Sequence, residues 1–290
     1  MTILVDADTR VVVHGITGKQ GNFHTKLMKD YGTNVVAGVS PGKGGQEIWG
    51  VPVYDSAKEA IRAGNANTSI LYVPAPSASR ASLDAIEAGV KLLVIITEGI
   101  PPLDTMRVIA VARSKGTRVV GPNCPGIISP GSSKVGIMPA EAFSRGATGI
   151  MSRSGTLTYE IAWAMTKAGL GQSTVAGLGG DAVIGTNFID ALTLMRQDPE
   201  TTGVVIVGEI GGDDEERCAE FIADTSFDKP VIAYVAGRSA PSEKRMGHAG
   251  AIISGGHGDY ESKVAALSEA GVQVAERPSD IMRLAKSMFR

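Results

Sequence analysis

A histidine flanked by glycines stands near the C-terminal end of the chain, in Lys244-Arg245-Met246-Gly247-His248-Ala249-Gly250-Ala251-Ile252-Ile253. Gly247 and Gly250 remove side chains on both sides, so the backbone bends freely and a bulky group can approach the ring. With an unperturbed pKa of about 6.5, imidazole is largely neutral at physiological pH and can form covalent intermediates as a nucleophile. A solvated loop histidine is the competing reading. A carboxylate partner is available: Val204-Val205-Ile206-Val207-Gly208 reads as an apolar strand that delivers Glu209 at its C-terminal end. From there an acid can orient the imidazole or stabilise its charge. Arg238, Lys244 and Arg245 surround the same loop with positive charge suited to phosphate.

Two helix starts are built to meet an anion. Arg10-Val11-Val12-Val13-His14 reads as a buried strand that runs into Gly15-Ile16-Thr17-Gly18-Lys19-Gln20-Gly21, after which Phe23, Leu27 and Met28 recur at helical spacing. Strand, glycine turn and helix aim backbone N–H groups and a helix dipole at a phosphate. The glycine spacing is G-x-x-G-x-x-G and departs from the dinucleotide fingerprint G-x-G-x-x-G. The next strand, Asn34 to Val39, ends in Ser40-Pro41-Gly42-Lys43-Gly44-Gly45, where an NAD-binding unit would carry an acid for the ribose hydroxyls. Lys43 instead favours a phosphorylated ribose, as in coenzyme A or NADP. The second helix start follows the strand Thr148 to Ser152: Arg153-Ser154-Gly155 forms a turn into a helix over Thr156 to Ala168. Ser154, Gly155 and Thr156 there read either as a phosphate cradle or as an ordinary N-cap by Ser154.

These residues need elements to carry them, and the strand runs supply them. Thr68 to Val73 stops at Pro74-Ala75-Pro76, with Ser77 expected to cap a helix through Ile86; Leu92 to Ile96 delivers Thr97-Glu98-Gly99 to the same sheet edge. Arg118-Val119-Val120 leads into Gly121-Pro122-Asn123-Cys124-Pro125-Gly126, where Cys124 reads as a buried, inert thiol. Around Gly126 to Gly146 the alternation lapses, which sets a domain boundary and predicts units over 1–128 and 129–290. The pattern then restarts, with a strand over Ser173 to Gly177, a helix from Asn187 and a last buried strand over Pro230 to Val235. Polar and glycine residues at the C-terminal strand ends are what a doubly wound sheet offers a ligand. The fold class expected is α/β, built on doubly wound sheets.

Composition narrows the function classes. Charged residues make up 20% and leave a net of -2, which argues against nucleic acid and anionic membranes as partners. Thirty-seven glycines, 43% hydrophobic content and no collagen period fit a globular α/β chain. Two distant cysteines form no CxxC pair, so neither a metal site nor a disulfide framework is expected, and the compartment reads as reducing and cytoplasmic.

Seven blocks together resemble one family: residues 15–21, 41–45, 96–99, 121–126, 152–160, 208–212 and 247–251, in order and over essentially the whole chain. They are similar to the α subunit of succinyl-CoA synthetase (succinate–CoA ligase). The resemblance implies a Rossmann-like CoA-binding domain followed by a flavodoxin-like, doubly wound ligase domain, with His248 phosphorylated in turnover and Glu209 against its ring. It implies CoA contacts from Thr17, Gly18, Lys19, Gln20, Lys43, Ile96, Thr97 and Glu98, and a substrate-pocket tyrosine at Tyr159. Ala182, and Ala140-Glu141 after Met138-Pro139, depart from the family pattern and bear on loop rigidity or subunit contacts. The chain has no G-x-x-x-x-G-K-[ST] run, so the resemblance assigns Mg-NTP to an ATP-grasp β subunit, in an αβ or α2β2 assembly. The activity implied is reversible conversion of succinate, CoA and NTP to succinyl-CoA, NDP and phosphate, in the tricarboxylic acid cycle. A malate–CoA ligase α subunit and a non-catalytic CoA-binding module are the alternatives; an NAD(P)-dependent dehydrogenase is disfavoured by Lys43 and the glycine spacing.

Overall fold

Runs such as Val11-Val12-Val13 and Val204-Val205-Ile206-Val207 are apolar at every position because both faces of the sheets they enter are covered. In the computed structural model, which describes residues 3–241, 244–253 and 258–289, Val12 packs into one core cluster while Val11 and Val13 pack into another. Val204 and Ile206 likewise face one core, and Val205 and Val207 the opposite one. Side chains that alternate between two dry faces explain why the sequence shows continuous runs instead of a period of two.

The first half comprises β1 (Arg10–His14), α1 (Lys19–Asp30), β2 (Asn34–Val39), β3 (Glu47–Ile48), β4 (Val51–Tyr54), α2 (Ala57–Gly64), β5 (Thr68–Leu71), α3 (Ala75–Glu87), β6 (Leu92–Ile95), α4 (Pro102–Lys115) and β7 (Arg118–Val120). Its sheet order is β3-β4-β2-β1-β5-β6-β7, parallel except for the β3–β4 pair. Setting β3 aside, this is the 3-2-1-4-5-6 winding of a dinucleotide-type fold, whose crevice opens between β1 and β5. The α3 helix begins two residues earlier than the cap expected at Ser77. Pro74 is its N-cap and proline occupies its first turn, where the missing N–H would be unpaired anyway.

The second half comprises β8 (Gly126–Ser129), β9 (Ser133–Gly136), a short 3-10 turn over Ala140–Ala142, β10 (Arg145–Ser152), α5 (Gly155–Lys167), β11 (Gln172–Gly177), α6 (Phe188–Gln197), β12 (Gly203–Glu209), α7 (Asp214–Asp224), β13 (Val231–Ala236), α8 (Tyr260–Glu269), β14 (Gln273–Ala275) and α9 (Asp280–Met288). Its order is β14-β13-β12-β10-β11-β8-β9. The β11-β10-β12-β13-β14 part is parallel and wound 2-1-3-4-5 like a flavodoxin, with its reversal between β10 and β12.

The stretch read as a lapse of alternation is an antiparallel hairpin, β8–β9, added to the free edge of β11. Its strands are four residues each and carry the buried Lys134, so no apolar period marks them. The expected 128/129 boundary falls inside β8, which pairs Ile127 and Ile128 with Ala176 and Val175 of the second sheet. Met1, Thr2 and Arg290, the ends of the two expected units, lie outside the described residues.

Candidate active site

The reversal between β10 and β12 sets two strand ends side by side, with Ser152 paired to Val207. The residues that emerge there are Arg153 and Glu209. Glu209 Oε2 lies 2.6 Å from His248 Nδ1. Its other oxygen accepts a hydrogen bond from Arg153 Nε at 3.2 Å. Both the guanidinium and the carboxylate are nearly buried, while the His248 side chain keeps 30% of its surface exposed. The hydrogen bond to Glu209 raises the His248 pKa above its ordinary value, against burial and the nearby Arg153, which lower it. A carboxylate on Nδ1 favours the tautomer with the proton there. No hydrogen bond to Nε2 occurs among the described residues, so that lone pair is the one free to react.

The ring sits where it does because residue 180 has no side chain. A Cβ on Gly180 would lie 2.5 Å from His248 Cγ and 2.7 Å from Nδ1. The loop is further knit by Gly250 N–H donating to Gly180 O at 3.3 Å and Met246 N–H to Ala251 O at 2.8 Å. Arg153 fastens the surroundings: Nη1 donates to Asp214 at 2.6 Å and Nη2 to the Asp181 carbonyl at 2.8 Å. Beneath Glu209, its own N–H donates to Glu215 at 3.0 Å, and Glu215 pairs with the fully buried ammonium of Lys263 at 2.5 Å.

The first sheet supplies the other wall. A cavity of about 270 Å³ lies between Glu98, Gly99 and Ile100 on one side and Gly247, Ala249 and Asp181 on the other. Thr97 is anchored by its hydroxyl to Val73 O at 2.7 Å, and its carbonyl accepts from Asn123 N–H at 3.0 Å. Ile96, Thr97 and Glu98 thus end beside the histidine loop. A second cavity of about 770 Å³, lined by Arg153, Gly212, Asp214 and Gly250, opens on the loop's other side.

Thr17, Gly18, Lys19 and Gln20 follow the end of β1, at the crevice between β1 and β5. Gly18 caps α1 without any side-chain acceptor, so the first-turn amides are open to an anion. A Cβ at Gly21 would collide with the carbonyl of Gly15, which makes the glycine obligatory for this close turn. Thr17 Oγ1 donates to Ser40 at 3.0 Å, which ties this turn to the loop carrying Lys43. That loop is held by Asp55, whose Oδ1 accepts from the Lys43 and Gly44 amides at 3.0 and 2.9 Å, while the Lys43 residue is exposed. The open first-turn amides fit a phosphate group.

Other expected residues are only partly brought in. Ser154 caps α5 by accepting from Leu157 N–H at 3.4 Å, which leaves the Gly155 and Thr156 amides without a side-chain acceptor. None of the three lines either cavity beside His248. Tyr159 is half-buried against Phe143, and burial pushes its phenol up to about 12. Cys124 is buried, its thiol likewise pushed up to about 12 by burial, which keeps it protonated and inert. Among the described residues no helix is long and apolar enough to cross a membrane, and no group of three His, Cys, Asp or Glu could hold a metal ion. No chemical role for Arg153, Gly180, Asn123 or Asp181 was legible in the sequence. Their signal is position: each ends a strand or follows one closely, yet only the strand order shows that these ends meet.

Known proteins match this chain across both halves. The family described as CoA binding domain matches residues 6–99, and that described as CoA-ligase matches residues 151–273. A protein of Archaeoglobus fulgidus named succinate–CoA ligase [ADP-forming] subunit alpha 2 is 57% identical and covers 98% of each chain. The Aquifex aeolicus succinate–CoA ligase [ADP-forming] subunit alpha is 54% identical over 97% of this chain and 92% of its own. Among solved structures, Methanosaeta concilii ATP citrate lyase, a D541A mutant in complex with (3S)-citryl-CoA, superposes with a TM-score of 0.89 over 99% of this chain at 21% identity. That likeness shows the fold. The chain spans about half the length of that structure, 50%.

Proposed function

Because the chain belongs to the family of succinate–CoA ligase α subunits, we propose that it is the α subunit of an ADP-forming succinate–CoA ligase and works through a phosphohistidine at His248. The observation that carries the reading is the 2.6 Å contact of Nδ1 with Glu209, beside a ring whose Nε2 is open. Transfer of a phosphoryl group to Nε2 leaves positive charge on the ring, and the carboxylate stabilises it through the Nδ1 proton. Release of the group to a succinate carboxylate gives an acyl phosphate. Attack by the CoA thiol then forms the thioester and frees inorganic phosphate. Thr17, Gly18, Lys19, Gln20 and Lys43 hold the CoA phosphates, and Ile96, Thr97 and Glu98 guide its thiol end toward the cavity beside His248. Gly155 and Thr156 offer amides at the α5 N-terminus, where the helix dipole favours an anion by up to about 2 kcal/mol. Tyr159 lines the acid's pocket.

The nucleoside triphosphate and its Mg²⁺ belong to a partner β subunit of the ATP-grasp type, in an αβ or α2β2 assembly in the cytoplasm. The test is direct. The chain reconstituted with its β subunit and given γ-labelled triphosphate takes up acid-labile label, and His248→Ala removes it. Label that persists in His248→Ala refutes the assignment.

A further inference from the structure

A thiol with a pKa near 8.5 is only a few per cent ionised at neutral pH, so forming a thioester from an acyl phosphate calls for a base beside the sulfur. Glu209 is held by His248 and Arg153, and His248 spends its open Nε2 on the phosphoryl group, so the base is sought in a third residue. We infer that Asp181 is the proton acceptor for the CoA thiol, held for this role by Asn123. The inference rests on the ligase reading and adds a residue to it.

Three observations carry it. Asp181 lines the 270 Å³ cavity where Glu98 and Gly99 of the first half face Gly247 and Ala249 of the histidine loop. Its carboxyl is fixed from one side only: Oδ1 accepts from Asn123 Nδ2 at 3.1 Å, and Oδ2 has no partner among the described residues. Asn123 is itself a clamp between the halves. Its N–H donates to Thr97 O and its carbonyl accepts from Gly180 N–H, each at 3.0 Å. Its φ of 53° lies in the left-handed region that asparagine tolerates. One residue therefore sets the distance from the Thr97 strand end, where the thiol would arrive, to the carboxyl that would take its proton.

The charges around this carboxyl suit a base. Asp181 is only 9% exposed. Burial raises its pKa above the ordinary value, and Glu98 adds to the rise; the Asn123 hydrogen bond, His248 and Arg153 oppose it. Arg245 also faces the cavity. Glu98 is the other carboxylate at the cavity, but it is exposed and has no hydrogen bond to hold it in place among the described residues.

The step balances without a further reactant. As sulfur bonds to the acyl carbon, its proton passes to Asp181, the C–O bond to phosphate breaks, and phosphate leaves with that electron pair. In reverse, phosphate attacks the thioester and protonated Asp181 delivers its proton to the departing thiolate.

Asp181→Asn in the reconstituted complex separates the steps, since the amide keeps the shape and can still accept from Asn123. Three readouts apply: acid-labile label from γ-labelled triphosphate, hydroxylamine trapping of the acyl phosphate without CoA, and thioester formation with CoA. The expected result is label and trapping within about twofold of wild type, while thioester formation falls roughly 10²–10⁴-fold. The residual rate should rise with pH as solvent ionises the thiol. Thioester formation at the wild-type rate, or loss of all three readouts together, overturns the inference. A wild-type complex that takes no label overturns the ligase reading and the inference with it.

Discussion

His248 reacts, in this account, because of what its neighbours lack and supply. Gly180 lacks a Cβ that would occupy the ring's place, and its own φ lies outside the left-handed region, so what an alanine there meets first is the ring. Gly180→Ala is therefore expected to cut phosphoryl uptake by about 10²-fold, the effect of misplacing a reacting group by about 1 Å. Its thermal melting should stay near wild type; uptake close to wild type would show that the ring need not lie on residue 180. Glu209 supplies the charge partner, with a measurable pH signature. A raised His248 pKa means the folded chain holds the ring proton more tightly than the unfolded chain does. The stabilisation is full below about pH 6.5 and fades as pH climbs through the folded value. Urea unfolding of wild type and Glu209→Gln should therefore differ most near pH 5–6 and converge in their pH-dependent part above that window. A gap that widens with rising pH would contradict the pairing. His248 and Glu209 were both legible as residues, one by its glycines and one by its strand. Gly180 was not, because the need for a bare Cα there arises from a ring 68 positions away in the chain.

Elements decide which strand ends become neighbours. Arg153 and Glu209 lie 56 residues apart and meet because β10 and β12 flank the sheet's reversal point. The end of β12 is held from below by Glu215 on α7 and Lys263 on α8, which are 1% and 0% exposed. Lys263 also donates to Glu216 at 2.9 Å and to Gly212 O at 3.1 Å, and these acids keep it charged despite its burial. Lys263→Met leaves Glu215 as a buried charge without its cation, and breaking such a pair typically costs roughly 3–5 kcal/mol. Denaturant titration should show a loss of that order, partly regained when Glu215 is also made apolar. A loss below about 1 kcal/mol would mean the pair is not what holds α7 and α8 under the site. The apolar strands were readable from composition because they are covered on both faces. The β8–β9 hairpin was not, since its pairing energy comes from the edge of β11, which no local pattern announces.

The whole molecule is two windings joined by that hairpin and by the N-terminal segment. Ile127 and Val135 pack into the core around Val11 and Val13 of the first sheet, whereas Ile128 packs with Ile150 and Val175 of the second. Ile3 enters a core of the second half, while Val5, two residues on, enters one of the first. A fragment cut at 129 loses β8 and bares the edge of β11, so it should aggregate or unfold more readily than one beginning at 121. Equal solubility and equal denaturant midpoints for the two fragments would refute this. Local chemistry was written plainly along the chain: glycine turns before helices, apolar runs for buried strands, a histidine between glycines, and seven blocks whose joint likeness carried the family. Those features depend on residues within a few positions of one another. The meeting of Arg153 with Glu209, the bare surface of Gly180 beneath the imidazole, and the Thr97–Asn123–Asp181 bridge between halves depend on strand order. Strand order is settled by the burial of whole faces, an energy summed over residues far apart in the chain.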